Sequence, residues 1–394
     1  MTATKIAEVI FWACLVLVAY TYFIYPVLLF LVYSFAQMRR DLDYLARRRN
    51  RRAHNPENED SPAVSLIVPA HNEQAYLPNK LKNLRELDYP AGKLEVIFIS
   101  DGSTDGTNEI LSSAPDVNLR TLILPARGGK ANALNEGVTR SHSEILIFSD
   151  ASTLFAPDVI RRLVRHFADS RMGVVCGSVR LIGSDESRLT EGFYWRFESV
   201  LRLMEARLGA TLNASGCIYA LRRECYRPLA TDELIDDFTV PINARKLGYR
   251  VIEDPEAVAT EFSVESIKGE FARRIRLAIG SFAALKHVLG LPLFTFTSFA
   301  FLSHKLLRWV LPFLLIGLLV SNALLWSSLP YRLFFVAQAL FYLWAGIGFA
   351  FRNSMRRFRF ALMGYFLVTI HLAFLVGFWR YLSGRRASAW QKVA

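Results

Sequence analysis

Cysteine is scarce in this sequence, and the placement of its four cysteines argues against two common kinds of site. Cys14, Cys176, Cys217 and Cys225 form no C-x-x-C pair and have no histidine at metal-ligand spacing. The sequence therefore predicts neither a zinc site nor a disulfide framework. The Walker pattern G-x-x-x-x-G-K-[ST] is also missing, so ATP hydrolysis is not indicated. No nucleic-acid motif is present, and the basic runs lack interleaved aromatic residues, which predicts no nucleic-acid partner.

Apolar residues, in contrast, are abundant. Hydrophobic residues make up 52% of the 394 residues, while charged residues still make up 21%. This combination indicates a soluble part joined to membrane segments. The net charge of +12 is concentrated in short runs beside apolar stretches, which is typical of membrane topology signals and of contact with anionic lipid.

The first long apolar stretch, Ile10 to Phe35, is long enough to cross a bilayer core, which needs about 20 residues. A cleaved signal peptide is the alternative, but the stretch is too long and no small-x-small cleavage site follows it. We expect residues 1–38 to form a transmembrane helix and residues 39–61 a basic juxtamembrane linker. Arginines cluster on the cytoplasmic side of membrane proteins, so the domain that follows is predicted to be cytoplasmic, at the inner (plasma) membrane.

Three more apolar stretches near the end of the chain have the length of a bilayer crossing: 306–326, 333–351 and 360–381. We assign residues 306–384 to three transmembrane helices and residues 385–394 to a tail. The basic segment Arg352–Arg359 predicts a cytoplasmic turn, whereas the charges of the tail leave its side open. Residues 265–305 are predicted to form amphipathic interfacial helices.

Strands and helices alternate between residues 62 and 264. Four short apolar runs have the make-up of buried strands, and amphipathic helical stretches separate them; the runs are Val64–Val68, Glu95–Ser100, Leu119–Leu124 and Ile145–Phe148. This alternation predicts an α/β domain with a mostly parallel, doubly wound sheet. Ligands of such sheets bind beyond the carboxyl ends of the strands.

Acidic residues stand at two of these strand ends. Asp101 follows one apolar run and Asp150 another, and both precede residues suited to tight turns. Each could be a simple turn residue, but two in one sheet favour a ligand site. Asp150 is suited to bind Mg²⁺ or Mn²⁺, with phosphate oxygens as further ligands of the metal. The helix between the two acids begins with Gly128, Gly129 and Lys130. Backbone N–H groups and a lysine at a helix start favour binding of a diphosphate.

Six motifs in sequence order resemble those of membrane-anchored family 2 glycosyltransferases, the inverting GT-A enzymes that include exopolysaccharide, chitin, hyaluronan and cellulose synthases. The motifs are VSLIVPAHNE (64–73), EVIFISDGSTDGT (95–107), RGGKANALNEG (127–137), ILIFSDAST (145–153), SGCIYALRRE (215–224) and DELIDDFTVPINARKLGYRV (232–251). The resemblance covers residues 64–280 closely. It implies a GT-A catalytic domain at residues 62–264, Rossmann-like with a mostly parallel sheet.

The resemblance also implies donor-binding residues. It places the base and ribose of a nucleotide-sugar, expected to be UDP-linked, against Pro69, Ala70, Glu73 and Asp101, with Lys130 near the diphosphate. Asp150 matches the first acid of the family's D-x-D metal motif, but Ser152 replaces the second acid. One carboxylate still suits Mg²⁺ or Mn²⁺ if phosphate and water complete the coordination.

The acceptor side of the site is implied in the same way. Asp236 and Asp237 match the family's acidic pair, with Asp237 as the general base, because a sugar hydroxyl needs a positioned carboxylate to take its proton. An acidic helix start favoured by the helix dipole is the alternative reading of this pair. Ser215, Gly216 and Cys217 match the small-residue segment that borders the acceptor.

A departure from the family pattern occurs at residues 271–277, where processive synthases carry Q-x-x-R-W. This chain has Arg273, Arg276 and Leu277, so the glutamine and the tryptophan are missing. An apolar stripe lies on the opposite helix face, which leaves the two arginines directed at the diphosphate or simply solvated. The missing tryptophan weakens a prediction of long-polymer synthesis and makes a short or lipid-linked acceptor plausible.

The sequence therefore predicts an inverting transfer of sugar to a saccharide or lipid-linked acceptor at the bilayer surface, in polysaccharide synthesis. A non-processive transfer of one sugar to a polyprenyl phosphate is the second hypothesis. A membrane scaffold with a nucleotide-sensing domain is the third, although it would not need Asp237.

Overall fold

The computed structural model describes residues 2–47, 61–114, 118–182, 197–262, 267–292, 294–351 and 359–384. An eight-stranded sheet is the centre of the soluble part. Its strands are β1 (Val64–Ala70), β2 (Leu94–Asp101), β3 (Leu119–Leu124), β4 (Ile145–Ser149), β5 (Leu154–Phe155), β6 (Met172–Ile182), β7 (Ile218–Arg222) and β8 (Arg250–Phe262).

Helices cover the sheet and extend beyond it. Those of the soluble part are α3 (Leu77–Arg85), α4 (Thr107–Ser112), α5 (Lys130–Arg140), α6 (Val159–Val164), α7 (197–207) and α8 (Asp236–Lys246). The remaining helices are α1 (Ala3–Ala19), α2 (Tyr25–Arg47), α9 (Ile267–Val288), α10 (Phe296–Ala300), α11 (Leu307–Leu324), α12 (Leu329–Ala350) and α13 (Arg359–Leu382).

The strand order is β3-β2-β1-β4-β7-β6-β8-β5. The four strands predicted from the sequence form the parallel half of the sheet, and β7 joins β4 and β6 in antiparallel orientation. The predicted α/β class with a mostly parallel sheet is confirmed. Because β1, β2 and β4 are parallel neighbours, their carboxyl ends lie together and bring Ala70, Asp101 and Asp150 to one edge.

Two apolar layers hold the sheet in place. On one face, β1 and β4 pack against α3 and α6, where Leu77, Ile160 and Leu163 are fully buried. On the other face, Leu134 of α5 and Val240 of α8 are buried against the same strands. Burying each such side chain contributes about 1.5–3 kcal/mol to the free energy of folding, so the strands that carry Asp101 and Asp150 rest on a well-packed core.

Among the described residues, four helical segments are long and apolar enough to cross a membrane: Ala3–Ala46, Phe296–Leu324, Leu329–Ala350 and Leu362–Leu382. The number of predicted crossings agrees with this finding. The first segment continues as helix through residues 39–47, which the sequence analysis assigned to the basic linker. The second begins at α10, inside the predicted interfacial region. Most of the linker (48–60), residues 352–358 and the tail (385–394) lie outside the described residues.

Helix α9 was expected to rest its apolar stripe in the membrane interface. In the structure, Ile275 of this stripe is buried against Ala373 of α13, together with the adjacent Ile279. The approach is so close that a side chain at Gly377 would lie 2.5 Å from the Cβ atom of Ala278. The stripe therefore packs on a neighbouring helix, and the interfacial position of α9 stays a prediction.

Candidate active site

Two loops at the ends of β1 and β2 are joined by hydrogen bonds. The backbone N–H of Glu73 donates to the hydroxyl of Thr107 at 2.9 Å, and the backbone N–H of Thr104 donates to the side chain of Asn72 at 2.8 Å. Asn72 has a φ of 55°, a conformation that asparagine tolerates better than most residues. These bonds fix the buried Glu73 just beyond the carboxyl end of β1, which ends with Pro69 and Ala70.

Asp101 holds the glycine-rich loop that opens α5. Its two carboxylate oxygens each accept a backbone N–H at 2.7 Å, one from Gly128 and the other from Gly129. Gly129 has a φ of 91°, which only glycine adopts without strain. Asp101 is fully buried, so the structure gives it a positioning function for this loop. Its predicted contact with a nucleotide stays a prediction.

Lys130 is the centre of the cleft. Its ammonium lies 2.9 Å from Asp150 Oδ1 and 3.5 Å from Asp236 Oδ1, and it donates to the carbonyl of Gly216 at 3.3 Å. Burial acts to lower the pKa of Lys130, but the charges of Asp150 and Asp236 outweigh burial and hold the pKa above its ordinary value. One cation thus joins the metal-motif acid, the acidic pair and the acceptor segment.

The acidic pair Asp236 and Asp237 begins α8, and its two members differ. Asp236 is buried and accepts a hydrogen bond from the hydroxyl of Tyr219 at 3.0 Å. Burial, together with the charge of Asp236, raises the pKa of Asp237 to about 6, while Lys130 acts in the opposite direction. A carboxylate with a pKa near neutrality is suited to general base catalysis.

The segment predicted to border the acceptor lies beside this base. A side chain at Gly216 would meet the Cβ atom of Asp237 at 3.4 Å, so the backbone of Gly216 passes close to that carboxylate. Ser215 donates to the carbonyl of Gly177 at 3.2 Å, which ties the segment to β6. The thiol of Cys217 is buried, and burial raises its pKa, so Cys217 is an unreactive packing residue.

The two arginines of α9 differ in their placement. Arg273 is exposed, whereas Arg276 is half-buried. Burial and the charge of Arg273 lower the pKa of Arg276, and the charges of Asp150 and Asp237 act to raise it. Arg276 is therefore within electrostatic reach of the cleft, and the diphosphate contact of both arginines stays a prediction.

The residues present fit a divalent metal only in part. Among the described residues, no group of three or more His, Cys, Asp or Glu side chains could hold a metal ion. The third position of the motif is the buried Ser152, which has no carboxylate, so Asp150 is the one acid of the motif. The Asp150 side chain is 26% exposed and already faces one cation, the ammonium of Lys130. A metal bound there would take most of its ligands from phosphate and water.

Lys80 is a site residue that the sequence reasoning missed. It is fully buried under the Asp150 turn, where its ammonium donates to Ser149 Oγ at 2.8 Å and to the carbonyl of Thr153 at 2.7 Å. Burial lowers the pKa of Lys80 to about 7, although Asp150 acts to raise it. The one local signal is helical periodicity, which places Lys80 beside the apolar face of α3.

Sequence reasoning also missed a buried polar network that acts on Asp237 through the charge of Lys305. His304 is fully buried between Glu205 Oε1, at 2.6 Å, and Glu198 Oε2, at 3.1 Å. Lys305 lies 3.2 Å from Glu198 and acts electrostatically on Asp237. The network joins α7 to the π-helical turn Phe301–Leu306 at the start of α11.

Comparison with known proteins identifies relatives of the soluble part of the chain. Residues 65–229 match the description "Glycosyl transferase family 2". An N-acetylglucosaminyltransferase of Mesorhizobium japonicum is 29% identical over 247 residues, which cover 58% of each chain. A poly-beta-1,6-N-acetyl-D-glucosamine synthase of Staphylococcus epidermidis is 25% identical over 236 residues, covering 58% of this chain and 57% of the synthase. The chain thus spans less than three fifths of the length of these curated relatives.

A solved structure extends the likeness to the membrane helices. A mannosyltransferase from Pyrobaculum calidifontis, in complex with GDP-Man and Mn²⁺, superposes with a TM-score of 0.66 at 24% identity. The superposition covers 91% of this chain and 98% of that one, and it shows the shared fold. The chain therefore carries a glycosyltransferase family 2 domain of the GT-A fold, attached to helices long and apolar enough to span a membrane.

Proposed function

We propose that this protein is an inverting glycosyltransferase that moves a sugar from a nucleotide donor to a saccharide or lipid-linked acceptor. The reaction takes place at the cytoplasmic face of the inner (plasma) membrane and serves polysaccharide synthesis. The observation that carries the proposal is the convergence of Asp150, Asp236 and Gly216 on the Lys130 ammonium, with Asp237 beside Gly216.

In this proposal the donor diphosphate binds beside the Lys130 ammonium, because Asp101 already occupies the glycine N–H groups that precede α5. Arg276 and Arg273 approach the same charge from α9. Mg²⁺ or Mn²⁺ held by Asp150 would neutralise the negative charge that develops on the leaving diphosphate. Pro69, Ala70, Glu73 and the Asp101 loop border the nucleotide.

Transfer then needs one proton acceptor. Asp237 takes the proton of the acceptor hydroxyl while the hydroxyl oxygen forms a bond to the anomeric carbon. The bond from that carbon to the phosphate oxygen breaks, and the nucleoside diphosphate leaves with the electron pair. Attack from the face opposite the diphosphate inverts the anomeric configuration.

The donor is proposed to be a UDP-linked hexose or N-acetylhexosamine, because both curated relatives are named for N-acetylglucosamine. Polymer synthesis draws support from the name of the staphylococcal synthase. Single transfer to a polyprenyl phosphate draws support from Leu277, which stands where processive synthases carry tryptophan. The length of products made from labelled donor separates these two reactions.

The base assignment is tested with Asp237→Asn. We expect the variant to bind donor as the wild type does and to transfer sugar about 10²–10⁴-fold more slowly, the usual contribution of a general base. Asp232→Asn is the matched control, since Asp232 is an exposed acid of the same segment. Transfer by Asp237→Asn at a rate close to that of the wild type would show that another group is the base.

A further inference from the structure

A cavity of the described structure lies apart from the cleft around Lys130. It has a volume of about 480 Å³ and lies between the end of α2, the end of α7, the α8–β8 turn and the α9–α10 connection. None of the residues assigned to the donor, the acceptor or the base lines it. We call this cavity the arginine pocket, because Arg40, Arg207, Arg245 and Arg250 line it.

The lining of the arginine pocket contains positively charged side chains but, among the described residues, no acidic ones. Of the described residues that line it, none is Asp or Glu, and the other polar side chains are those of Tyr249, Thr295 and Thr297. Arg250 is paired outside the lining, 3.0 Å from Asp169 Oδ2. Three of the four arginines therefore line a common space whose described lining holds no acid to neutralise them.

Arg245 and Arg40 make hydrogen bonds to neutral carbonyls. Arg245 donates to the carbonyls of Thr211 and Gly209, both at 2.9 Å, and burial lowers its pKa to about 10. Arg40 donates to the carbonyl of Arg207 at 2.9 Å. Arg245 also donates to the carbonyl of Val251 at 3.4 Å. Bonds to neutral carbonyls leave the positive charge of each guanidinium uncompensated, and N–H donors remain on both side chains.

We propose that the arginine pocket binds a phosphate-bearing anion. Arginine is the side chain best matched to phosphate, because its planar N–H groups can bond two oxygens at once. The volume suits a ligand of small-molecule size. Two of the arginines, Arg40 and Arg207, are distant in sequence from each other and from the pair Arg245 and Arg250. Folding is therefore needed to bring the four together.

The position of the pocket favours an anionic phospholipid headgroup as the source of the phosphate. Arg40 belongs to the first candidate span, Ala3–Ala46, and Thr297 to the second, Phe296–Leu324. Both residues lie near the ends of these spans that adjoin the soluble part. Basic groups at such ends attract anionic lipid. A soluble phosphate compound is the other source of the same chemistry.

The lipid source is tested by lipid retention. The full chain is purified from mixed bilayers of phosphatidylglycerol and phosphatidylcholine, and bound lipid is counted by native mass spectrometry. We expect the wild type to retain phosphatidylglycerol, and Arg207→Gln and Arg40→Gln each to retain about tenfold less, since a charge-assisted hydrogen bond contributes about 1.5–3 kcal/mol. Arg140→Gln, an exposed arginine of α5, is the matched control and should behave as the wild type.

The soluble source is tested by titrating pyrophosphate into lipid-depleted protein and following the thermal midpoint. A rise that Arg207→Gln abolishes, without selective lipid retention, would keep the site and assign it to a soluble phosphate. If neither phosphatidylglycerol nor pyrophosphate distinguishes wild type from Arg207→Gln and Arg40→Gln, the proposal is wrong. Neither measurement depends on sugar transfer, so Asp237→Asn should bind as the wild type does even if the proposed reaction is incorrect.

Discussion

Lys80 supports the turn that carries the metal-motif acid. Its two hydrogen bonds reach Ser149, immediately before Asp150, and Thr153, three residues after it. The ammonium also lies 4.5 Å from the ring centroid of Phe155, so the charge is held by polar atoms on one side and by an aromatic face on the other. Lys80 is therefore a positioning residue for Asp150.

Lys80→Met should raise the KM for the nucleotide-sugar and the Mn²⁺ concentration needed for half-maximal rate, each about tenfold or more. A shift of about 1 Å in a positioned group can cost about 10²-fold in rate, and the substitution removes both bonds that fix this turn. Nucleotide release at varied donor and Mn²⁺ concentrations measures the change.

The thermal unfolding midpoint should also fall in Lys80→Met, because two buried polar atoms lose their donor, at a cost of about 1–3 kcal/mol for each atom left unsatisfied. Lys82→Met, at an exposed position of the same helix, is the control and should keep both constants. A folded Lys80→Met protein with wild-type constants would contradict the positioning role.

The pH dependence of transfer should follow Asp237. Burial and the charge of Asp236 raise its pKa to about 6. The base works only when ionised, so kcat/KM should fall about tenfold per pH unit below about 6 and level off above it. The pH profile of nucleotide release measures this, with Asp232→Asn as a control whose profile stays unchanged. A rate that is equal at about pH 5 and about pH 7 would contradict the assignment.

Sequence reasoning located the site residues that end strands but not the residues that support them. Asp101 and Asp150 follow continuous apolar runs, which is a local signal visible in one sequence. Lys80 is buried by contacts with residues about 70 positions away, and periodicity, which sets it apart from the exposed Lys82, does not predict that a charged residue beside the apolar face is buried. The bonds from Asp101 to the glycine loop have the same non-local origin.

The junction between α7 and the start of α11 depends on charged groups that are removed from water. Glu205 also accepts a hydrogen bond from the hydroxyl of Tyr25 at 2.6 Å, so α2 joins the same network. Arg308 and Lys305 both pair with Glu198. Burial acts to raise the pKa of Glu198, but the charges of His304 and Arg308 hold it well below its ordinary value.

His304→Leu should destabilise this junction strongly. Removing the group between Glu198 and Glu205 leaves two buried carboxylates with one partner fewer, a change that costs about 3–5 kcal/mol in buried ion pairs. The thermal unfolding midpoint of the purified full chain measures the loss. His142→Leu, at an exposed position before β4, should leave the midpoint unchanged. An unchanged midpoint in His304→Leu would show that the network contributes nothing to stability.

Elements with a strong local pattern were predicted closely, and those made by distant pairing were not. The bounds of β3 agree with the predicted run Leu119–Leu124, and α5 begins at Lys130, where the sequence predicted the start of a helix. The long strands β6 and β8 pair in parallel across about 80 residues, and no signal in either strand specifies that partner. Likewise, the stripe on α9 predicted an apolar face, but α13 as its neighbour is a property of the tertiary fold.

On the scale of the whole molecule, the sheet edge and the first and second candidate spans meet around α7 and α8. Asp237 stands at the start of α8, and Arg245 stands eight residues later, about 12 Å along the helix. One helix therefore extends from the proposed base to the arginine pocket. The proposed base and the proposed anion site therefore share α8.

The central claim, sugar transfer in the cleft around Lys130, is tested most directly by nucleotide release from the purified full chain. A panel of nucleotide-sugars is supplied with Mn²⁺ or Mg²⁺ and acceptor lipid extract, for the wild type and for Asp150→Asn and Asp237→Asn. We predict release from one donor, and its loss in EDTA and in both variants. No release from any donor, or release that persists equally in both variants, would contradict the account.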